Sequence, residues 1–210
     1  MFPIRPILAA VVLAVCTCSA QDSIGFVDME RIFQEFYKTV KEEIKLQKQM
    51  DVYKQYAVAL ESSIGELQRE ANKARDESLN LALKPEIRAE KQAEARQKFM
   101  ELQDKKRELR EYQNDKKRGL RERYEETRAL LVAEIADIVQ QEAKARKLRL
   151  VLDSSGKTLN GIPAFVYFEP EMDFTDAVVE ILNRGHHAEL EELREQSKEL
   201  DSRGGFGVGN

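Results

Sequence analysis

From Leu46 onward, apolar or small residues recur at steps of four, three, four and three without a slip. They are Leu46, Met50, Tyr53, Ala57, Leu60, Ile64, Leu67, Ala71, Ala74, Ser78 and Leu81. A helix with this spacing carries one narrow apolar stripe, which it can bury only against another helix. The stripe weakens along its length, from Leu and Ile to Ala, Ala and Ser. Small side chains let helices approach closely but bury little area, so the far end of the seam is expected to be the less stable and more mobile one. The helical pattern begins before the seam. Phe33, Phe36, Val40 and Ile44 share one face, and Asp28 is placed to cap a helix that starts at Met29. One helix, unbroken to about Leu83, is the expectation.

Lys84-Pro85-Glu86 interrupts it. Proline is excluded from a helix interior but suits a first turn. A second helix is therefore expected from about Glu86 to Arg146. Its seam is sparser, with Ala95, Phe99, Leu102, Leu109 and Leu120 apolar and Lys106, Gln113 and Lys116 between them. Apolar density returns at Leu130, Leu131, Val132, Ile135, Ile138 and Val139. Helices of about 54 and 61 residues would each reach roughly 80–90 Å. A parallel dimeric coiled coil kinked at Pro85 competes with an antiparallel hairpin. The hairpin accounts better for one central break, apolar density at both outer ends, and strands flanking both ends.

Those strands are Ile24 to Val27, Leu148 to Asp153, and Ala164 to Phe168, which holds Phe165, Val166 and Tyr167. Turns fall at Ser154 to Lys157 and Gly161 to Pro163. Asp173-Phe174-Thr175-Asp176 opens a short helix that buries Phe174, Val178, Ile181 and Leu182 and ends at Gly185. Three short strands and one short helix neither close a sheet nor bury a self-sufficient core, so the base is expected to oligomerise. Phe26, Val27, Leu150, Val151, Leu152, Phe165, Val166, Tyr167 and Phe174 are its candidate oligomerisation residues. The fold class is thus α+β and mostly helical, a coiled-coil hairpin on a small β body. The body comprises residues 21–36 and 130–185, and the arm residues 37–129. Residues 186–210 form a tail, acidic and then Gly-rich, whose first part reads as a surface helix or as disorder.

The first 20 residues read as a secretory signal peptide. Arg5 precedes a short apolar run from Ile7 to Val15, and small residues lead to cleavage after Ala20. Two alternatives remain: an uncleaved anchor, and lipidation of Cys16 after Leu13-Ala14-Val15. Both cysteines of the chain lie in this segment, so the mature chain is expected to lack disulfides and thiol chemistry. No phosphate loop, nucleophile elbow or zinc-protease motif occurs. His186 and His187 are adjacent, which makes a poor metal pair, and they read as a solvated linker. Asp28 and Asp153 read as cap and turn residues. No enzyme activity and no cofactor are expected. A net charge of −4 argues against nucleic acid as a partner.

One stretch is locally basic. Lys105, Lys106, Arg107, Arg110, Lys116, Lys117, Arg118, Arg121 and Arg123 face only four acids, Glu108, Glu111, Asp115 and Glu122. This is either a solvated helix face or a surface for acidic proteins or anionic lipid headgroups. Tyr53, Tyr56, Phe99, Tyr112 and Tyr124 lie along the same helices. Tyr53 and Phe99 fall on the seam itself.

The order of these features resembles the Skp/OmpH family of periplasmic chaperones. Ile24 to Asp28 with Phe33, Leu148 to Asp153, Phe165 to Tyr167, and Asp173-Phe174-Thr175 with Val178, Val179 and Leu182 carry the resemblance, which spans about Ser23 to Arg184. It implies a homotrimer whose strands merge into one body, with three arms around a cavity that holds unfolded outer-membrane proteins without ATP. Tyr56, Tyr112 and the nine basic residues are then candidate client contacts. Two departures stand out. Residues 38–128 hold 23 basic and 19 acidic residues, a milder excess than the family picture of strongly basic arms. The chain also continues about 25 residues past the closing helix. An exported coiled-coil spacer or lipoprotein of the envelope is the alternative function.

Overall fold

The computed structural model describes residues 24–202. The signal-peptide and Cys16 readings, and the Gly-rich end of the chain, lie outside that range.

Strand β1 (Ile24–Val27) pairs in parallel with β2 (Leu150–Asp153), in the register Ile24 to Leu150 through Val27 to Asp153. Parallel strands need a long crossover, and here the helical part of the chain supplies it. Gly25 allows the close packing at this point. A Cβ there would come within 2.6 Å of Leu148 Cδ1 and 2.8 Å of Phe174 Cε1. On the other side of β1, Phe174 N donates to Phe26 O at 3.1 Å.

Helix α1 (Met29–Glu35) starts as expected, with the Asp28 carboxylate accepting from Arg31 N at 2.8 Å. The long first helix is not continuous, however. The backbone turns extended at Phe36 (φ −72°, ψ 124°), and α2 (Tyr37–Ser78) begins after it. The break drives the Phe36 ring into the core, where it is buried. It also strips Glu35 and Tyr37 of helical partners, and a single distant side chain replaces them. Asn183 Oδ1 accepts from Tyr37 N at 2.9 Å, and Asn183 Nδ2 donates to Glu35 O at 3.0 Å.

Helix α2 also stops earlier than Leu83. Leu79 N and Asn80 N donate back to Asp76 O and Glu77 O, and the Asn80 side chain then accepts from Ala82 N at 3.0 Å. An asparagine that bonds two residues ahead favours a turn over more helix. Leu81, expected on the seam, is therefore exposed in that turn. Pro85 opens α3 (Pro85–Ala145) at its first turn.

Helices α2 and α3 lie side by side in opposite directions. Lys38 meets Glu134, Tyr56 meets Glu108, Glu70 meets Lys98, and Glu77 meets Lys91. Leu60, Ala71 and Ala74 of the seam are buried, and most of the other predicted positions are half-buried. At the base, Val27, Ile32, Phe36, Leu131, Ile135, Val139, Phe174, Val178 and Leu182 form one core. Leu130, grouped with these by sequence, faces solvent.

Helix α4 (Thr175–Asn183) closes that core, and Gly185 turns the chain at φ +80°. The acidic segment beyond it is helix α5 (His187–Ser202), which lies against α2. Helix makes up 77% of the structure against one two-stranded sheet, a mostly helical α+β fold.

Residues 164–168 are not a strand. Ala164 N donates to Gly156 O at 2.8 Å, but the pairing does not extend, and beyond it side chains take the contacts instead. Phe165 and Phe168 pack on the Phe26 ring at 5.2 Å and 4.2 Å between centroids. Val166 and Tyr167 between them are 90% and 81% exposed.

Candidate client-binding surface

About midway along the α2–α3 pair, the seam carries aromatic rings. Tyr53 and Tyr56 sit one turn apart on α2 and both meet Tyr112 of α3, at 6.4 Å and 4.6 Å between centroids. The Lys116 ammonium lies 4.9 Å from the Tyr53 ring centre and 5.5 Å from that of Tyr112. A cation over aromatic faces is held by the ring quadrupole, worth about 0.5–1 kcal/mol at an exposed site. Desolvation, and then the neighbouring Tyr53 and Tyr56, hold the Tyr112 phenol above its ordinary pKa, so it stays a neutral hydroxyl. Tyr53, Tyr112 and Lys116, together with Met50, Ala57 and Leu120, line an open groove of about 350 Å³, with Tyr56 packed on Tyr112 outside it. Lys54 and Lys117 stand at its edge. Such a surface offers apolar contact, π faces and positive charge to an extended chain without demanding one shape.

The nine basic candidates do not form a uniform field. Lys105, Arg107, Arg118 and Arg121 each pair with an acid three or four residues away on α3: Glu108, Asp104, Asp115 and Glu125. Lys106 donates to Gln68 at 3.3 Å. Arg110, Lys117 and Arg123 are exposed, with no ion pair among the described residues. Three open cations and Lys116 therefore carry most of what the local charge excess can offer a partner.

Phe99 is misplaced by the seam reading. It is 55% exposed, and Lys98 occupies the stripe in its place, bonded to Glu70 at 2.6 Å. The cause lies opposite, at Ala71 and Ala74. Where two alanines draw the helices together a phenyl ring does not fit, whereas a lysine stem lies flat and sends its charge outward. Leu102, one turn further, is fully buried.

The histidines are also not a free linker. His186 stacks on Tyr37 at 4.0 Å, and its Nδ1 lies 3.0 Å from Glu189 Oε2. Asp28 caps α1, and Asp153 Oδ1 accepts from Met29 N and from Ser155, so both carboxylates serve the backbone. Sequence reasoning missed Asn183. Its only local signal was a polar residue in the last turn of a helix whose other face is apolar.

At the base, Phe26, Val27 and Phe174 are buried, Val151, Leu152 and Phe165 are half-buried, and Leu150 is exposed. Leu159, Ile162, Val166 and Tyr167 form a further set of exposed apolar side chains on the loop after β2. Among the described residues no helix is long and apolar enough to cross a membrane.

Residues 23–182 match the family described as outer membrane protein (OmpH-like). The chain belongs to the OmpH-like family. No curated protein matches it. Membership supports, at the level of the family, a periplasmic chaperone of outer-membrane proteins. The OmpH-like match takes in β1, the α2–α3 pair, β2 and most of α4. It stops before α5.

Proposed function

We propose that this protein is an ATP-independent periplasmic holdase that binds unfolded outer-membrane proteins between helical hairpin arms. The observation that carries the reading is the family match across both the base and the paired helices. The tyrosine–lysine groove, with Arg110, Lys117 and Arg123 beside it, supplies contacts suited to an unfolded, acidic and partly apolar chain. The same basic face suits anionic lipid headgroups as a secondary partner.

The working unit is a homotrimer. Two observations support it. Val166, Tyr167, Leu159 and Ile162 are large apolar side chains left in solvent. Residues 165–168 have strand composition and pair with no strand among the described residues. Strand partners from other copies would satisfy both. Residues 21–36 and 130–185 are then the shared body, residues 37–129 the arm, and residues 186–210 an addition to it.

The test is dilution of a urea-unfolded outer-membrane β-barrel into buffer with the mature protein and no nucleotide. At one trimer per client, light scattering should stay near baseline. Unchanged aggregation would favour the envelope-spacer reading.

A further inference from the structure

Helix α5 lies outside the family match and is the only described element that covers an arm face near the base. It buries Leu190 and Leu193 against Val40 and Ile44 of α2. At its start, Lys41 pairs with Glu189 at 2.7 Å and His186 stacks on Tyr37. Further along, Leu200 adds a partly buried contact to the same cluster. Beside this end, Leu200 and Asp201 share the lining of an open groove of about 490 Å³ with Leu46, Met50, Leu120 and Tyr124. Asp201 also approaches Glu43, a like charge.

We propose that α5 is an intramolecular strap that occupies part of the client-binding face and is displaced when an unfolded segment binds. Three features fit a displaceable occupant. A 16-residue helix is marginal alone in water, so α5 depends on its docking contacts. Those contacts include two buried leucines, the partly buried Leu200, one ion pair and one ring stack. Its charge also mimics the expected client: from His186 to Asp201 there are six acidic residues against two basic ones. The apolar face it covers runs on past it through Leu46 and Met50 toward the tyrosine groove, so a client bound there would meet α5 at its C-terminal end, beside the open groove. The inference rests on the holdase reading and specifies its regulation: the strap keeps apolar arm surface covered when no client is present.

The experiment compares the full mature protein with Leu190→Asp/Leu193→Asp, and with a chain ending at Gly185. Both variants lose the docked helix, and neither touches the main base core. The probe is a urea-unfolded outer-membrane β-barrel, with affinity read by fluorescence. If α5 is docked about nine-tenths of the time, its loss tightens binding roughly tenfold, because apparent affinity scales with the competent fraction. Hydrogen exchange across residues 187–202 of the unaltered protein should also speed up when client is added. Equal or weaker binding by both variants, or slower exchange on client addition, overturns the strap while the holdase reading stands. If neither the parent nor the variants bind, both readings fall.

Discussion

Asn183 holds together the part of the fold that the helical pattern did not announce, and replacing it with alanine gives a sharp test. The side chain is buried and bonds to both ends of the break between α1 and α2. In Asn183→Ala, the Tyr37 N–H and the Glu35 carbonyl lose their partners together. Each net hydrogen bond is worth about 1 kcal/mol, and a buried group left unsatisfied costs about 1–3 kcal/mol. The expected loss is therefore about 2–4 kcal/mol of unfolding free energy. Joining α1 and α2 into one helix would rescue the backbone groups but would pull Phe36 out of the core. Burial of such a ring is itself worth roughly 1.5–3 kcal/mol, so this escape offers little relief. Asn183→Asp keeps the acceptor and loses the donor, so at neutral pH it should be at least as damaging. Urea unfolding followed by circular dichroism, at one fixed protein concentration, reads the difference. The amide of Tyr37, whose acceptor is lost, should exchange faster in Asn183→Ala. A loss below about 0.5 kcal/mol for Asn183→Ala would refute the claim that this residue sustains the break.

Other consequences follow from the arm and from α5. Ala74→Leu should overpack the tightest part of the seam and lower stability by about 1–3 kcal/mol in thermal melts. An unchanged melt would mean the helices are not closely apposed there. Replacing Arg110, Lys117 and Arg123 together by Gln should slow association with an acidic client and flatten its salt dependence in stopped-flow traces. Replacing the intrahelically paired Arg118 and Arg121 should do less, and the reverse ranking would contradict the assignment of open cations. Acidification should act oppositely on the two ends of α5. Bonds from Lys41 and then His186 hold Glu189 below the usual carboxylate range, so its contribution is full above the ordinary value of 4.5 and is lost as pH falls through the depressed one. Glu43, although much of its side chain is open, is pushed up by desolvation and then by Asp201, so its unfavourable contribution at neutral pH is relieved as pH falls through the raised value. Fluorophores at Ser197 and at Ala188 should report the far end tightening first and the near end loosening at lower pH. Parallel responses would contradict this.

The seam was legible because its spacing is a local property. Leu60, Ala71 and Ala74 are buried where the heptad puts them, and Pro85 starts a helix where its ring permits one. The Asp28 cap and the Phe174, Val178 and Leu182 face were legible for the same reason. What sequence reasoning missed depends on distant partners. The break at Phe36 looks like uninterrupted helix until Asn183 arrives from the far end of the fold. Residues 164–168 have strand composition, but composition supplies no neighbour to pair with. Phe99 fits the heptad count, and only the alanines opposite exclude it. In the candidate site, the basic run was evident, but its intrahelical neutralisation and the stacking of Lys116 on two tyrosines required the packed pair of helices. The docking of α5 was the least legible feature. Leu190 and Leu193 are two apolar residues in an acidic run, and nothing local names the Val40 and Ile44 they cover.

Native mass spectrometry of the purified mature protein mixed with an unfolded outer-membrane β-barrel tests the central claim most directly. The account predicts one species with the mass of three chains plus one client, formed without nucleotide. Free client beside a stable dimer or monomer of this chain would contradict it.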